Sequence, residues 1–309
     1  MGNGNVLVVG SLNMDLTVRV DKTPQIGETR VGKTFKQLPG GKGANQAIAA
    51  ARLGSSVSMI GCVGEDDYGE ELQTALRKET INIEGITKTR LSSTGIALIT
   101  VDDRGNNSIV IVSGANEKLD SVHIDKHISL FDQSDVIVFQ LEVPTSTIYH
   151  SIDICKKMGK KVIVNLAPYH ELKSSIYKKI DYLILNKIEA QCFLKLPDST
   201  VDTLEEKLKE IKDQHIILTL GEDGVMYVYN GQSFKYNAYK IRARDTTGAG
   251  DAFTGAFASE ISRGKGIIEA IEFAIKASAI SVSREGAQNS LPFLKDLQKF
   301  KGNRRIFIE

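Results

Sequence analysis

The sequence predicts an α/β protein: a doubly wound, mostly parallel central sheet flanked by helices, with a small second β-sheet as a lid. Three observations carry this. Short apolar, β-branched runs recur along the chain, segments with helical spacing separate them, and two stretches break the rhythm by alternating apolar with polar residues.

The runs are VLVVGS (6 to 11), VSMIGCV (57 to 63), DVIVFQL (135 to 141), KVIVNLA (161 to 167), YLILN (182 to 186) and IILTLG (216 to 221). Continuous hydrophobicity marks strands covered on both faces, as in a parallel sheet. Helical spacing fills 43 to 53, 67 to 79, 144 to 158, 200 to 212, 251 to 263 and 267 to 283. The alternating stretches are 16 to 37 and 95 to 112, and the second carries DDRGNN as a turn between two strands. The expected organisation is a core of 1 to 15, 38 to 94 and 113 to 309 with a lid of 16 to 37 and 95 to 112. Such a lid either covers the core or pairs with another subunit.

Composition excludes several function classes. In 309 residues, 39 Lys+Arg against 38 Asp+Glu leave a net charge of +1, so no global field calls for nucleic acid or a membrane surface as partner. Cys62, Cys155 and Cys192 are odd in number and outside any Cys-x-x-Cys, which fits a reducing compartment. Five scattered histidines show no metal-ligand spacing, and no apolar run approaches the ~18 residues of a spanning helix. A cytoplasmic location is expected.

Residues 27 to 34, GETRVGKT, match the Walker A expression letter for letter. The context contradicts it: a P-loop follows a buried strand and opens a helix, whereas Pro24 precedes this segment and Pro39-Gly40-Gly41 follows too soon for one. An exposed lid strand is the expected structure. A dinucleotide fingerprint is also missing after the first strand, which weakens an oxidoreductase reading.

Three constellations remain. In ARDTTGAGDAF, Gly248, Ala249 and Gly250 lead into an apolar helix whose free N-terminal amides and positive dipole end suit an anion. Asp251 there is either an N-cap or a group that takes a proton from an alcohol while those amides stabilise a transferring phosphoryl group. In LPGGKGANQAIAAARLG, Gly40 and Gly41 allow close backbone approach, and Lys42 and Asn45 begin an Ala-rich helix, a donor set suited to a polyol. Finally Asn13, Asp15, Glu142, Asn165, Asn186 and Glu189 follow strand ends, the edge where open α/β sheets bind ligands, and Thr219 to Gly224 adds a turn against which a nucleotide could lie.

Taken together, GSLNMD, GGKGANQA, the G-x-D-x-x-G of Gly64, Asp66 and Gly69, Glu142, N-x-x-E at Asn186 to Glu189, TLGEDG, DTTGAGD and REGAQNS resemble the ribokinase family of carbohydrate kinases over essentially the whole chain. The resemblance implies ATP-dependent phosphorylation of the 5-hydroxyl of D-ribose, with Asp251 as catalytic base and Gly248, Ala249 and Gly250 as anion hole. It places Asn13, Met14, Asp15, Gly41, Lys42, Gly43, Ala44, Asn45 and Glu142, with Asp251, at the sugar. Asn186, Thr219, Leu220, Gly221, Glu222, Asp223, Gly224 and Gly250 fall at ATP, and Glu189 at magnesium and phosphate. It further implies a potassium site at Asp245, Thr247, Ser281, Arg284, Gly286 and Ser290, several through backbone carbonyls, and a homodimer formed by the lid. Ile275 stands where some relatives carry a polar residue near the adenine. Asn13 favours a substrate with a 2-hydroxyl over 2-deoxyribose. Another sugar or nucleoside kinase of the same superfamily and a non-catalytic sugar-binding protein stay open as alternatives.

Overall fold

The computed structural model describes residues 4–303; the outer ends of the expected core segments, 1 to 3 and 304 to 309, lie outside them. Thirteen strands follow in order: β1 (Asn5–Val9), β2 (Asn13–Arg19), β3 (Thr34–Gly40), β4 (Ser56–Gly64), β5 (Asn82–Thr89), β6 (Gly95–Val101), β7 (Asn107–Val112), β8 (Val136–Phe139), β9 (Lys161–Asn165), β10 (Tyr182–Asn186), β11 (His215–Thr219), β12 (Val225–Tyr229) and β13 (Gln232–Tyr236). Nine form one sheet in the order β13-β12-β11-β10-β9-β8-β1-β4-β5, parallel from β11 to β5 and antiparallel at β12 and β13.

The six apolar runs are strands, and the six helical patterns are the helices Lys42–Arg52, Asp67–Lys78, Thr145–Lys157, Val201–Lys209, Ala249–Ser262 and Ile267–Val282. Each face of the sheet carries its own core. One centres on Met59, Phe253 and Phe257, the other on Phe131, Phe139 and Ile152, all at most 2% exposed. Alternate residues of one strand feed both, as Val6 and Val8 do against Leu7 and Val9. Among the described residues no helix is long and apolar enough to cross a membrane.

Two features position the site. The chain runs outward from β1 to β4 and β5 and then returns to β8 on the other side of β1, so β1 and β8 flank the switch point where a crevice opens beyond the strand ends. Helix Ala249–Ser262 also crosses helix Lys42–Arg52 closely: a Cβ on Gly255 would lie 2.5 Å from Ala49 Cβ and 2.6 Å from Gln46 O. Only glycine fits there, and the close crossing brings the starts of the two helices together.

The small sheet has the order β3-β2-β6-β7, with β2 and β6 parallel and the outer pairs antiparallel. β2 begins at Asn13 and β3 ends at Gly40, three residues nearer the core at each end than the alternation indicated, while β6 and β7 keep the expected ends at 95 and 112. Residues 20 to 33 between β2 and β3 form a loop rather than strand, largely exposed after the buried Val20. The Walker-like segment therefore runs from loop into β3, and its Lys33 is bound to Asp103 at 2.5 Å. DDRGNN makes the β6–β7 turn, held by Asp102 Oδ1 accepting from the Arg104 and Asn106 amides.

Candidate active site

At the switch point Ser11 Oγ, just past β1, donates to Glu142 Oε2, just past β8, at 2.5 Å. The same Glu142 oxygen accepts from Lys42 N at 3.2 Å, and Ser11 Oγ accepts from Gly43 N at 3.3 Å, so the carboxylate is pinned to the first turn of helix Lys42–Arg52. Gly41 caps that helix at φ 91°, and a Cβ there would come within 2.7 Å of Asn13 N. Glycine is thus required by both backbone conformation and close approach. Asn13 is buried, and its Oδ1 accepts from Asn116 Nδ2 at 2.8 Å. Asn13, Asn116 and Glu142 line a cavity of about 180 Å³ with Ile111 of the small sheet.

Asp251 lies at the far side of this crevice. It is the third residue of helix Ala249–Ser262 and does not cap it; Oδ2 accepts from Asn45 Nδ2 and Oδ1 from Gln46 Nε2, both at 2.9 Å. The N-cap is Gly248 at φ 76°. Ala249 N donates to Thr246 O at 3.2 Å, so its amide is occupied, whereas the amides of Gly248, Gly250 and Asp251 have no partner among the described residues. A Cβ on Gly250 would meet nothing within 4 Å. The amides left open at this terminus are therefore those of Gly248, Gly250 and Asp251, and the expected anion hole would lose Ala249 and gain Asp251.

Beyond this helix terminus lies a second cavity of about 270 Å³, between Thr219, Gly221, Glu222 and Gly224 on one wall and Tyr239, Ile241, Phe253 and Ile275 on the other. Gly250 and Ala249 border it. Leu220 and Asp223 do not line it; Leu220 N and O close the Gly221–Asp223 turn onto Gly224 O and Asp223 N. Asn186 and Glu189 form a reciprocal capping box on helix Lys187–Leu194, at 2.9 and 2.7 Å. Met14 and Ala44 are buried in the core, so neither offers a side chain to the crevice.

The loops expected to hold potassium come together, with their side chains already engaged. Asp245 accepts from the amides of Thr247 and Gly286, both at 2.9 Å. Ser281 and Ser290 hydroxyls pair at 2.8 Å, and Arg284 is bound to Asp296 at 3.0 Å. Each Asp245 oxygen accepts only one amide and so keeps a lone pair, which a cation could share with nearby backbone carbonyls. Asp245, Thr247 and Gly286 border the main cleft of about 710 Å³, which runs under the small sheet past Asp15 and Arg19.

The profile of the pfkB family carbohydrate kinases matches residues 3–294. The chain belongs to that family. It is 38% identical to a ribokinase of Schizosaccharomyces pombe, covering 95% of this chain and 96% of the relative, and 35% identical to a deoxyribokinase of Salmonella typhi, covering 96% and 98%. The structure of an Arabidopsis thaliana ribokinase complexed with ribose and ATP superposes with a TM-score of 0.88 at 30% identity, over 97% of this chain and all of that one. The protein is a ribokinase-type sugar kinase.

In this carbohydrate kinase one ammonium serves four carboxyl groups. Burial opposes its charge, yet Asp251, Glu142, Glu189 and Asp15 hold Lys42 above the usual lysine range. Burial, with Glu142 and Asp251 nearby, pushes Asp15 up to about 7. Burial likewise raises Asp251 and Glu189, against Lys42 and their hydrogen-bond donors. Such an excess of buried negative charge suits a site that receives a proton and a divalent cation.

Ser11, Gln46, Asn116 and Gln140 were not legible in the sequence, yet they hold the site residues, and Asn116 also lines the crevice. For Ser11, Gln46 and Gln140 the signal was position, near Asn13, Asn45 and Glu142; Asn116 had no such neighbour. Asn165 was expected at the ligand edge; instead its Oδ1 accepts from Gln46 Nε2 at 3.1 Å. The G-x-D-x-x-G residues also resolve into structure: Asp66 caps helix Asp67–Lys78 through Gly69 N and accepts from both Thr94 N and Oγ1.

Proposed function

We propose that the protein transfers the γ-phosphoryl group of ATP to the 5-hydroxyl of D-ribose, with Asp251 as general base. The observation that carries this is the place of Asp251: its carboxylate is oriented by Asn45 and Gln46 of the helix that begins at Lys42, while the preceding Gly250, whose amide is open, borders the second cavity. Asn13, Asp15, Lys42, Asn45 and Glu142 hold the sugar hydroxyls, and Asn45 Oδ1, buried with no partner among the described residues, is an acceptor waiting for one. Asp251 takes the hydroxyl proton as the oxygen attacks, and the helix amides meet the charge on the transferring group. The apolar slot beside Ile241 and Ile275 takes the adenine. Bound magnesium, near Glu189, would neutralise phosphate charge.

The same reading gives the remaining parts. Carbonyls of the 245 to 247 and 284 to 290 loops hold a potassium ion. The small sheet is a lid that excludes water. Its outer face exposes Phe35, Leu98, Val110 and Val112, which register pairing puts on one side, and this face forms a homodimer. The three unpaired thiols fit a cytoplasmic setting. The deoxyribokinase among the relatives keeps 2-deoxyribose as the second substrate reading, against which Asn13, fixed by Asn116, is a polar contact for a 2-hydroxyl.

The test is ADP release over ribose, 2-deoxyribose, fructose and adenosine, with and without potassium, for the wild type and Asp251→Asn. Ribose is expected to be fastest, and the variant to lose roughly 10² to 10⁴ in turnover. Equal or faster turnover on 2-deoxyribose would overturn the substrate, and near-normal turnover of Asp251→Asn would overturn the base.

A further inference from the structure

Asp251 is the head of a buried chain of amides. Gln46 Nε2 donates to Asp251 Oδ1 at 2.9 Å and to Asn165 Oδ1 at 3.1 Å, and Gln46 Oε1 accepts from Gln140 Nε2 at 2.6 Å. Gln46 and Gln140 are completely buried, and Asn165 is 8% exposed. The chain gathers helix Ala249–Ser262, helix Lys42–Arg52 and the ends of β8 and β9 on one carboxylate.

A buried amide can point either way, and here its surroundings decide. An ionised carboxylate only accepts, so Gln46 must present its nitrogen to Asp251, and its oxygen then needs a donor. Gln140 supplies it. Asn165 Nδ2 donates to Ile184 O at 3.3 Å, which turns the Asn165 oxygen toward Gln46 as well. At the far end Gln140 Oε1 is buried with no partner among the described residues. A core built for packing alone would replace such a chain with apolar side chains of the same shape and avoid the unpaired oxygen.

We propose that Gln46, oriented by Gln140 and Asn165, is a positioning residue for the phosphoryl-transfer reaction: it fixes the plane of the Asp251 carboxylate and favours its ionised form. The inference rests on Asp251 acting as base. Asn45 holds the second oxygen, so two consecutive residues of one helix leave each oxygen a lone pair for the substrate proton. The charged groups facing Asp251 are Lys42 from the same helix, Asp15 of β2, Glu142 after β8 and Glu189 of helix Lys187–Leu194. Among them Lys42 favours ionisation and the three carboxyl groups oppose it, so the Gln46 donor acts with Lys42.

The experiment measures kcat against pH for Gln46→Met, alone and combined with Asp251→Asn. Gln46→Met is expected to lower kcat by roughly 10- to 100-fold, the range for one hydrogen bond to an ionised group, with KM for the sugar nearly unchanged. The acid limb of the profile should move up by about one pH unit, because the ionised base has lost a donor. In the Asp251→Asn background Gln46→Met should add no further loss. An unmoved acid limb, or losses that multiply in the double variant, would overturn the positioning role. Near-normal turnover of Asp251→Asn alone would instead overturn the base reading, which separates the two failures. Should Gln46→Met lack a native circular-dichroism spectrum, Gln140→Met carries the same test one bond further out: a smaller loss with a shift in the same direction supports the chain, and an unshifted limb overturns it.

Discussion

Asn116 and Asn13, 103 residues apart, share a 2.8 Å hydrogen bond between buried side-chain amides. Asn116 also spans Leu12, accepting from its amide at 2.9 Å and donating to its carbonyl at 3.1 Å, and donates to Ser113 O at 3.0 Å. One side chain therefore ties the exit of β7 to the entry of β2, where the small sheet leaves the core. Asn116→Ala is expected to cost about 1–3 kcal/mol, since the Leu12 amide is left buried and unpaired. It should also raise KM for the sugar far more than KM for ATP. Thermal melts and separate saturation curves check this; equal effects on both substrates would show that Asn116 acts only on global stability.

Gly250 separates what the fold needs from what the ligand needs. Nothing in the protein lies within 4 Å of a Cβ built there, and the residue sits inside a helix, where alanine is preferred. Gly250→Ala should leave the melting temperature unchanged or slightly raised. The added methyl group should occupy the space over the open amides, and a clash of about 1.4 kcal/mol suffices for a tenfold loss in kcat/KM for ATP. A variant with normal ATP kinetics would move the phosphate site away from this terminus.

The sequence made the fold legible because continuous apolar runs and helical spacing are direct consequences of burial on two faces, and strands such as β8, VIVF, leave no other reading. β5 and β13 escaped because they are edge strands: NIEGITKT and QSFKY alternate too irregularly, being half-exposed. β12 was hidden behind the glycine turn that precedes it. In the site, glycine turns and strand-end carboxylates were readable as residue types with special conformational or charge properties. Gln46 and Gln140 were not, because a buried glutamine is recognisable only through partners that the chain brings from 94 to 205 residues away.

His215 is one group expected to lower stability on the acid side. Its ring stacks on Tyr229 with centroids 4.0 Å apart and on Tyr182 at 5.3 Å, and Nδ1 bonds the Tyr227 hydroxyl at 2.7 Å. Burial holds its pKa below the usual 6.5, with Asp181 opposing. The folded state thus favours the neutral ring, so the contribution is complete above about 6.5 and is lost as pH falls below it. The melting temperature of the wild type should fall more steeply between pH 7 and 5.5 than that of His215→Phe, which keeps the stack and cannot be protonated. Parallel curves would exclude His215 as a contributor.

Asp15 titrates in the opposite sense. Its carboxyl, pushed from 3.8 up to about 7 by burial and by Glu142 and Asp251, folds most favourably when protonated. The contribution to stability is complete below about 4, and it is lost as pH rises toward 7 because the unfolded chain ionises first. Asp15→Asn should therefore raise the melting temperature at pH 8, and the advantage should shrink as pH is lowered from 7 to 4. Sugar binding runs against this, since a carboxylate accepts two hydroxyls where a protonated acid accepts fewer. KM for the sugar in the wild type should rise as pH drops below about 7 while KM for ATP stays nearly level. In Asp15→Asn the sugar KM should be higher throughout and flat across the same range; a wild-type sugar KM that did not respond to pH would remove Asp15 from the sugar site.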